Sequence, residues 1–276
     1  MKHRIKLSAL ALCVVLVGCG GGGGGGNGGG GGGGTPTPAT QLRLYKSGDT
    51  MTYAVTGTYQ DTNGAYPVKG SATLTLGNAT FNGQSVISET TVLSLTVQDH
   101  SLNITGIAYF TQDPVTHDVY ELAYTDSKGV THTDVAPTLL TPGTINATTS
   151  LNDTFNYTDG TWKIRTSSVV GAETVQTPAG SFNCWKVNQS EKDSDGTSIS
   201  GTDWTDPNVG GDVREIGEGT QTNPYSYLSL TEVLSAYNTR SWRNVGFLPP
   251  PCGILNGHIM RELMKQIKAH RTSTIP

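Results

Sequence analysis

From Thr50 onward the chain alternates. In the stretch Ser85 to Val97, Leu93, Leu95 and Val97 share one face and Ser94, Thr96 and Gln98 the other. That period of two belongs to a strand with one buried and one solvated face. Segments rich in β-branched and aromatic residues predict further strands, giving eleven: Thr50–Tyr59, Lys69–Leu76, Gln84–Val97, Leu102–Gln112, Asp118–Asp126, Asp153–Thr158, Thr161–Gln176, Phe182–Gln189, Thr197–Trp204, Asp212–Ile216 and Tyr225–Tyr237. Asn63-Gly64, Asn82-Gly83, Asp159-Gly160 and Asp195-Gly196 lie between them and suit short hairpins that need positive φ. The pattern predicts an all-β domain with a hairpin-connected antiparallel sheet. Alternation slips at one place: Phe182 and Cys184 point one way and Trp185 and Val187 the other, so either both faces are partly covered or a bulge shifts the register.

The period changes after Pro249-Pro250-Pro251. Ile254, Leu255, Ile259, Leu263 and Ile267, with Met260 and Met264 alongside, recur at helical spacing, while Arg261, Lys265, Lys268 and Arg271 fall mostly off the stripe. A basic amphipathic helix of about fifteen residues, from Gly253 to Ala269, is expected. Such a helix can lie on an anionic membrane, grip an acidic domain or engage a partner, or be an extension with no role.

The other end is different again. Lys2, Arg4 and Lys6 precede an apolar run from Leu7 to Val17 broken only by Ser8, the charged start and apolar middle of an export signal, too short for a stable span of ~20 residues. Fourteen of the fifteen residues after Cys19 are glycine. Glycine samples φ/ψ space widely and buries nothing, so this stretch is expected to stay coil. With Thr35 to Thr40 it makes a 21-residue leash with an r.m.s. span of about 25 Å. The expected organisation is therefore a signal peptide over 1–18, a cysteine and flexible linker over 19–40, an antiparallel β domain over 41–240 and a basic tail over 241–276.

Composition sharpens this division. Charged residues are 14% of the chain. Between Gln41 and Arg240 there are ten Lys/Arg against twenty-one Asp/Glu, and after Ser241 five against one. An acidic main domain argues against a nucleic-acid partner, which needs a basic face.

The residues Leu16-Val17-Gly18-Cys19 resemble the lipobox of bacterial lipoproteins, in which cleavage before the cysteine follows acylation of its thiol. The resemblance implies that Cys19 becomes a lipidated first residue carrying fatty acyl groups such as palmitate, with the membrane as partner. Gly20 after it, rather than aspartate, implies a bacterial cell-envelope address at the outer membrane. Buried methylenes contribute roughly 0.8 kcal/mol each, so several acyl chains make a durable anchor.

Three stretches along the domain resemble uncharacterised envelope families whose fold is similar to the lipoprotein carrier LolA. They are Gly48-Asp49-Thr50-Met51-Thr52-Tyr53, Thr177-Pro178-Ala179-Gly180-Ser181-Phe182 and Trp204-Thr205-Asp206-Pro207-Asn208-Val209-Gly210. The resemblance implies a curved antiparallel sheet or incomplete β-barrel, with an apolar concave face that holds acyl chains or protein segments.

Chemistry-bearing residues are sparse. His100, His117 and His132 lack zinc-like spacing, although Asp118 and Asp134 lie beside the last two. No serine sits in a nucleophile elbow and no cysteine has a histidine nearby. Asp193-Ser194-Asp195-Gly196 has neither the glycine nor the glutamate of a calcium loop and reads as a turn. Six Asn-x-Ser/Thr sites fit a threonine-rich sheet surface. With Cys13 lost in the signal and Cys19 acylated, Cys184 and Cys252 are a candidate disulfide pair, the alternative being a buried Cys184 and a free Cys252. The sequence thus favours a non-enzymatic, membrane-anchored envelope lipoprotein without cofactor that binds an apolar ligand or protein segment. A structural or assembly lipoprotein acting through protein contacts, and a carboxylate- or metal-dependent hydrolase using His117 and His132, are the alternatives.

Overall fold

A computed structural model describes residues 37–222, 225–239, 260 and 263–267. Twelve strands follow one another: β1 (Thr50–Asp61), β2 (Gly64–Phe81), β3 (Gln84–Val97), β4 (His100–Gln112), β5 (Val119–Thr125), β6 (Thr131–Thr141), β7 (Ser150–Asn156), β8 (Trp162–Thr177), β9 (Gly180–Asp193), β10 (Ser198–Asp206), β11 (Gly211–Thr222) and β12 (Tyr225–Asn238). Each pairs antiparallel with its neighbours in the chain, except β6 with β7, and β12 returns to pair with β1 along its whole length. The resulting meander is a nearly closed barrel whose remaining seam lies between β6 and β7. There a single bridge, Asp134 opposite Tyr157, and a 2.8 Å hydrogen bond from Thr158 N to Thr133 O span the gap. The expected incomplete barrel is present, with its gap reduced to this seam.

The strand missing from the sequence expectation is β6. It contains Pro137, its burial does not alternate, and its ladder with β5 is interrupted by two register shifts. Proline is tolerated here because β6 is an edge strand. The turns follow local chemistry closely. Asn82 and Gly83, at φ 49° and 79°, form a two-residue hairpin. The loops after Asp126, Tyr157 and Asp193 share one geometry, each closed by a 2.9 Å bond from the first residue's N to the O of the residue four later, with a left-handed glycine (129, 160, 196) before the close. In the first hairpin the turn is Thr62-Asn63, and Gly64 already opens β2.

Alternation sets the inside. Leu93, Leu95 and Val97 are buried as expected, and the larger of two apolar cores also takes Tyr53, Leu74, Ile104 and Leu228. The smaller core gathers Phe110, Tyr124, Phe155 and Tyr157 from β4 to β7 and the loop that follows. The slip near Cys184 is a bulge. Val170 is an extra residue in β8, facing the Lys186–Val187 step of β9, and both Cys184 and Trp185 just before that step are buried.

Because the strands run alternately up and down, every second hairpin lies at the same end of the barrel, and a terminal segment covers each end. At the end holding the β4–β5, β6–β7 and β10–β11 connections, residues 39–48 cross the opening. Leu42 N bonds Gly143 O at 2.8 Å, Arg43 N bonds Pro207 O at 3.0 Å, and Leu42 and Tyr45 are buried in the smaller core. At the other end lies the helix α1, described at Met260 and 263–267. Met260, Leu263, Met264 and Ile267 are all buried in the larger core. Lys265 Nζ is 3.2 Å from Asp195 Oδ2 in the β9–β10 turn, and Gln266 Nε2 donates to Ser127 Oγ at 3.1 Å in the β5–β6 turn. Of the readings left open for the tail, its described residues grip the acidic domain. The outer strand positions, such as Thr56, Thr58 and Gln60, are exposed and polar, unlike the apolar outer band of a lipid-facing barrel.

Candidate functional site

Not all inward positions are apolar. In the β10–β11–β12 register Asp203 lies opposite Glu215, and Glu215 opposite Glu232, and all three are buried. Side chains directly opposite in adjacent strands are neighbours, and like charges there repel. A fourth carboxylate arrives through a bulge. Register shifts between Trp204 and Thr205, Val213 becomes the extra residue of β11, and Asp212 turns to the side shared with Thr205. The Thr205 hydroxyl donates to Asp212 Oδ1, and the Tyr53 hydroxyl donates to the Asp212 carbonyl at 2.8 Å. Asp203, Asp212 and Glu215 each offer a carboxylate oxygen within 4.8 Å of the others.

Buried acids also come from the rest of the wall: Glu89 on β3, Glu121 on β5, Asp134 on β6 and Glu191 on β9. Facing these eight carboxyls, the buried cations among the described residues are Lys163 and Arg165 on β8. Lys163 Nζ stands 3.9 Å from Glu121 Oε2 and 4.0 Å from the Phe155 ring centre. Arg165 Nη2 donates to Leu139 O at 3.0 Å and lies 3.5 Å from Asp153 Oδ2, so part of its charge is turned toward the β6–β7 side. Removal from water, reinforced by neighbouring carboxylates, pushes Glu89 and Glu232 up to about 8; burial alone raises Asp212 to about 6, against the Thr205 hydrogen bond. Burial and neighbouring carboxylates raise Asp134 to about 8, with Glu121 as its main carboxylate neighbour, and carry Asp203 well above the usual range. Burial disfavours the charged form of any acid, and a second acid nearby adds to that cost.

The belt borders a cavity of about 120 Å³. Its lining mixes charged residues, Glu121, Lys163, Arg165, Glu191, Asp203 and Asp212, with apolar ones, Leu140, Ile145, Leu151, Val169 and Val187. The concave face therefore joins two packed apolar cores to a charged chamber, where the resemblance to carrier families implied an apolar surface throughout.

The histidines stand apart from this chamber and from one another. His117, in the left-handed region at φ 68°, holds the segment across one end of the barrel with Nδ1 2.5 Å from Leu42 O. His132 lies toward the other end, stacked on Tyr124 with centroids 4.5 Å apart and Nδ1 2.5 Å from Asp159 Oδ2. Its carboxylate partner is thus Asp159, while Asp134 turns to the seam with both oxygens lacking a hydrogen-bond partner. Asp118 accepts from Gly143 N at 2.7 Å, and His100 begins β4 at an exposed position. Asp193 to Gly196 form the expected turn, with Gly196 at φ 85°. Cys184 is a free, buried thiol, and Cys252 and Cys19 lie outside the described residues. The acidic belt was missed, yet Glu232 shares the stripe of Leu228, Leu230 and Leu234, and Glu89 that of Leu93 and Leu95. An acid on a buried stripe was the available signal.

A family model for DUF3108-like proteins matches residues 128–216, from the β5–β6 turn to the middle of β11. No curated protein matches the chain. Among solved structures the chain is similar to a Bacteroides fragilis protein with YmcC-like fold, described as exported, at 13% identity, covering 73% of this chain and all of that one, with a TM-score of 0.34. It is also similar to a Parabacteroides distasonis protein described as a lipoprotein, at 15% identity, covering 72% of this chain and 99% of that one, with the same TM-score of 0.34.

Proposed function

We propose that this chain is a non-enzymatic lipoprotein of the bacterial cell envelope, tethered to the outer membrane through Cys19, whose barrel holds a small ligand in the chamber between β8–β11 and the β6–β7 connection. The observation that carries the binding half is the cavity of about 120 Å³ whose lining mixes charged and apolar side chains. Its apolar residues suit a hydrocarbon or aliphatic body. Its acids, two of which keep an oxygen without a hydrogen-bond partner, Glu191 and Asp203, suit a donor-bearing or cationic end. The volume is well below the roughly 300–1,000 Å³ of drug-sized pockets, so the ligand is small, or is one end of a longer acyl chain or peptide. The tether half rests on the lipobox resemblance and on the polar outer face of the barrel, which supplies no lipid-facing band of its own.

Native mass spectrometry of protein taken from its own host without detergent tests both halves. The expected spectrum carries acyl mass on the terminal cysteine and a further non-covalent mass lost on denaturation. A bare polypeptide mass under all gentle conditions would reject binding. Unchanged membrane fractionation of Cys19→Ser would reject the tether.

A second reading, assembly through protein contacts, is favoured by the seam. There β6 and β7 share one bridge, and Val135 stands 67% exposed on β6. Repeated crosslinking of a single envelope protein to β6 would support it over a ligand carrier.

A further inference from the structure

We propose that Asp203, Asp212, Glu215 and Glu232 form a site for a hard divalent cation, with Ca²⁺ the ion that best suits its donors. Three adjacent strands place Asp203, Glu215 and Glu232 in one row across the sheet, and the β11 bulge adds Asp212. Asp203, Asp212 and Glu215 have oxygens within 4.8 Å of one another, a spacing one ion can bridge, and Glu232 flanks them as the residue opposite Glu215 in the register.

The second observation is independent of that convergence. Glu232 is 1% exposed and lies directly opposite Glu215, and neither of its carboxylate oxygens has a hydrogen-bond partner; Asp203 Oδ1 is likewise unpartnered. Buried acceptors without donors are costly. Their neighbours give partial relief. Gln189 hydrogen-bonds Asp203 through its side chain and Arg165 is the cation whose charge reaches it, Thr205 spends its hydroxyl proton on Asp212, and the Tyr53 hydroxyl is committed to the Asp212 carbonyl, so Asp203 Oδ1 and both Glu232 oxygens stay without a donor.

An ion supplies what the protein withholds. The donor set is all oxygen, which selects Ca²⁺, Mg²⁺ or Mn²⁺ over thiolate- or imidazole-seeking metals. Ca²⁺ accepts six to eight oxygens in adaptable geometry, whereas Mg²⁺ demands a strict octahedron and keeps its waters, so a crowded carboxylate row favours Ca²⁺. Asp203 and Asp212 also line the chamber. The inference therefore deepens the reading of that chamber as a binding site by naming what two of its acids hold, and a bound ion would present its open positions to a ligand there.

The test uses the full mature chain stripped with a chelator, then titrated with Ca²⁺, Mg²⁺ and Zn²⁺ by calorimetry, with thermal unfolding in parallel. One Ca²⁺ per chain is expected, with a melting temperature that climbs with Ca²⁺ concentration and a weaker response to Mg²⁺. Glu232→Gln and Asp203→Asn should each lose roughly tenfold or more in Ca²⁺ affinity, since affinity follows ligand charge. Without Ca²⁺ both should melt at or above the unaltered chain, because each replaces a buried acid, whose ionised form is costly, by a neutral amide of similar size. Failure of the unaltered chain to bind Ca²⁺ at millimolar concentration overturns the site, as does equal affinity in both variants. Should neither variant fold, the titration of the unaltered chain decides alone. Native mass spectra read metal and organic masses separately, so loss of the ion site and loss of the chamber's ligand are distinguishable outcomes.

Discussion

Leu263, in the helix that covers one end of the barrel, is completely buried, with Met260 equally so and Met264 and Ile267 nearly so. Leu263→Ala deletes a buried side chain without altering charge or helix propensity adversely. The expected loss is about 2–5 kcal/mol, the transfer free energy of the missing carbons plus the cavity they leave. For a domain of this size that lowers the melting temperature by about 2–4 °C per kcal/mol. The loss has a ceiling, the free energy with which α1 docks. Once a second substitution releases the helix, further truncation costs nothing more, so Met260→Ala combined with Leu263→Ala should fall short of the sum of the two. Lys265→Ala is the contrast. Its ammonium meets Asp195 at 3.2 Å, but both side chains are about a third exposed, so the pair contributes ~0–1 kcal/mol. Circular dichroism melts of Leu263→Ala, Met260→Ala, their combination and Lys265→Ala, with limited proteolysis of the tail at a temperature below all transitions, would measure the series. If Leu263→Ala melts with the unaltered chain while Lys265→Ala falls, the helix is held by its charges and the packing argument is wrong.

The acidic belt should make stability fall as pH rises. Glu89 is held up to about 8 by burial and then by Glu121 and Asp212, so the folded form binds its proton more tightly than the unfolded form does. Its stabilising contribution is complete near pH 4 and is lost as pH climbs toward 8, at about 1.4 kcal/mol per unit for a single group. Glu89→Gln should flatten that slope in denaturant titrations at successive pH values, and an unchanged slope would count against it. Gly57 offers a steric check. A Cβ there would stand 2.0 Å from Ser229 O on β12, so Gly57→Ala must part the strands that close the barrel and should cost at least ~1–3 kcal/mol; a melting temperature unmoved by this change would refute the close approach.

Much of the barrel was legible because its signals are local. The Leu93-Leu95-Val97 stripe, the Asn82-Gly83 hairpin and the helical spacing from Met260 to Ile267 each depend on residues a few positions apart, and all reappear in the fold. Strand β6 was lost because Pro137 and two bulges erase its period. The site was harder for a different reason. Asp203, Glu215 and Glu232 come together only when β10, β11 and β12 lie side by side, and the bulge that turns Asp212 toward them has no local signature. Parity alone did mark Glu89 and Glu232 as acids on apolar stripes. The histidines drew notice through residue type, yet topology sends His117 and His132 toward opposite ends and commits each to holding a segment in place.

The energetics of the barrel separate what folds it from what it is for. Two apolar cores fill it, and the segments containing Leu42 and Leu263 seal it at either end. None of that packing requires the acids of the belt, whose eight carboxyls outnumber the two cations that face them. Replacing a buried charged cluster by apolar residues of similar size is often neutral or stabilising, so a barrel shaped for stability alone would have filled those inward positions with more valine and leucine. The seals make the choice costlier, because they keep water from the carboxylates and so maintain the desolvation that holds Glu89 and Glu232 near pH 8. On the binding proposed above, a group of residues that weakens the fold, borders its chamber and retains unpartnered acceptors at Glu191, Asp203 and Glu232 has its physical rationale in a positively charged or proton-donating ligand, whose binding would offset the cost of burying the acids.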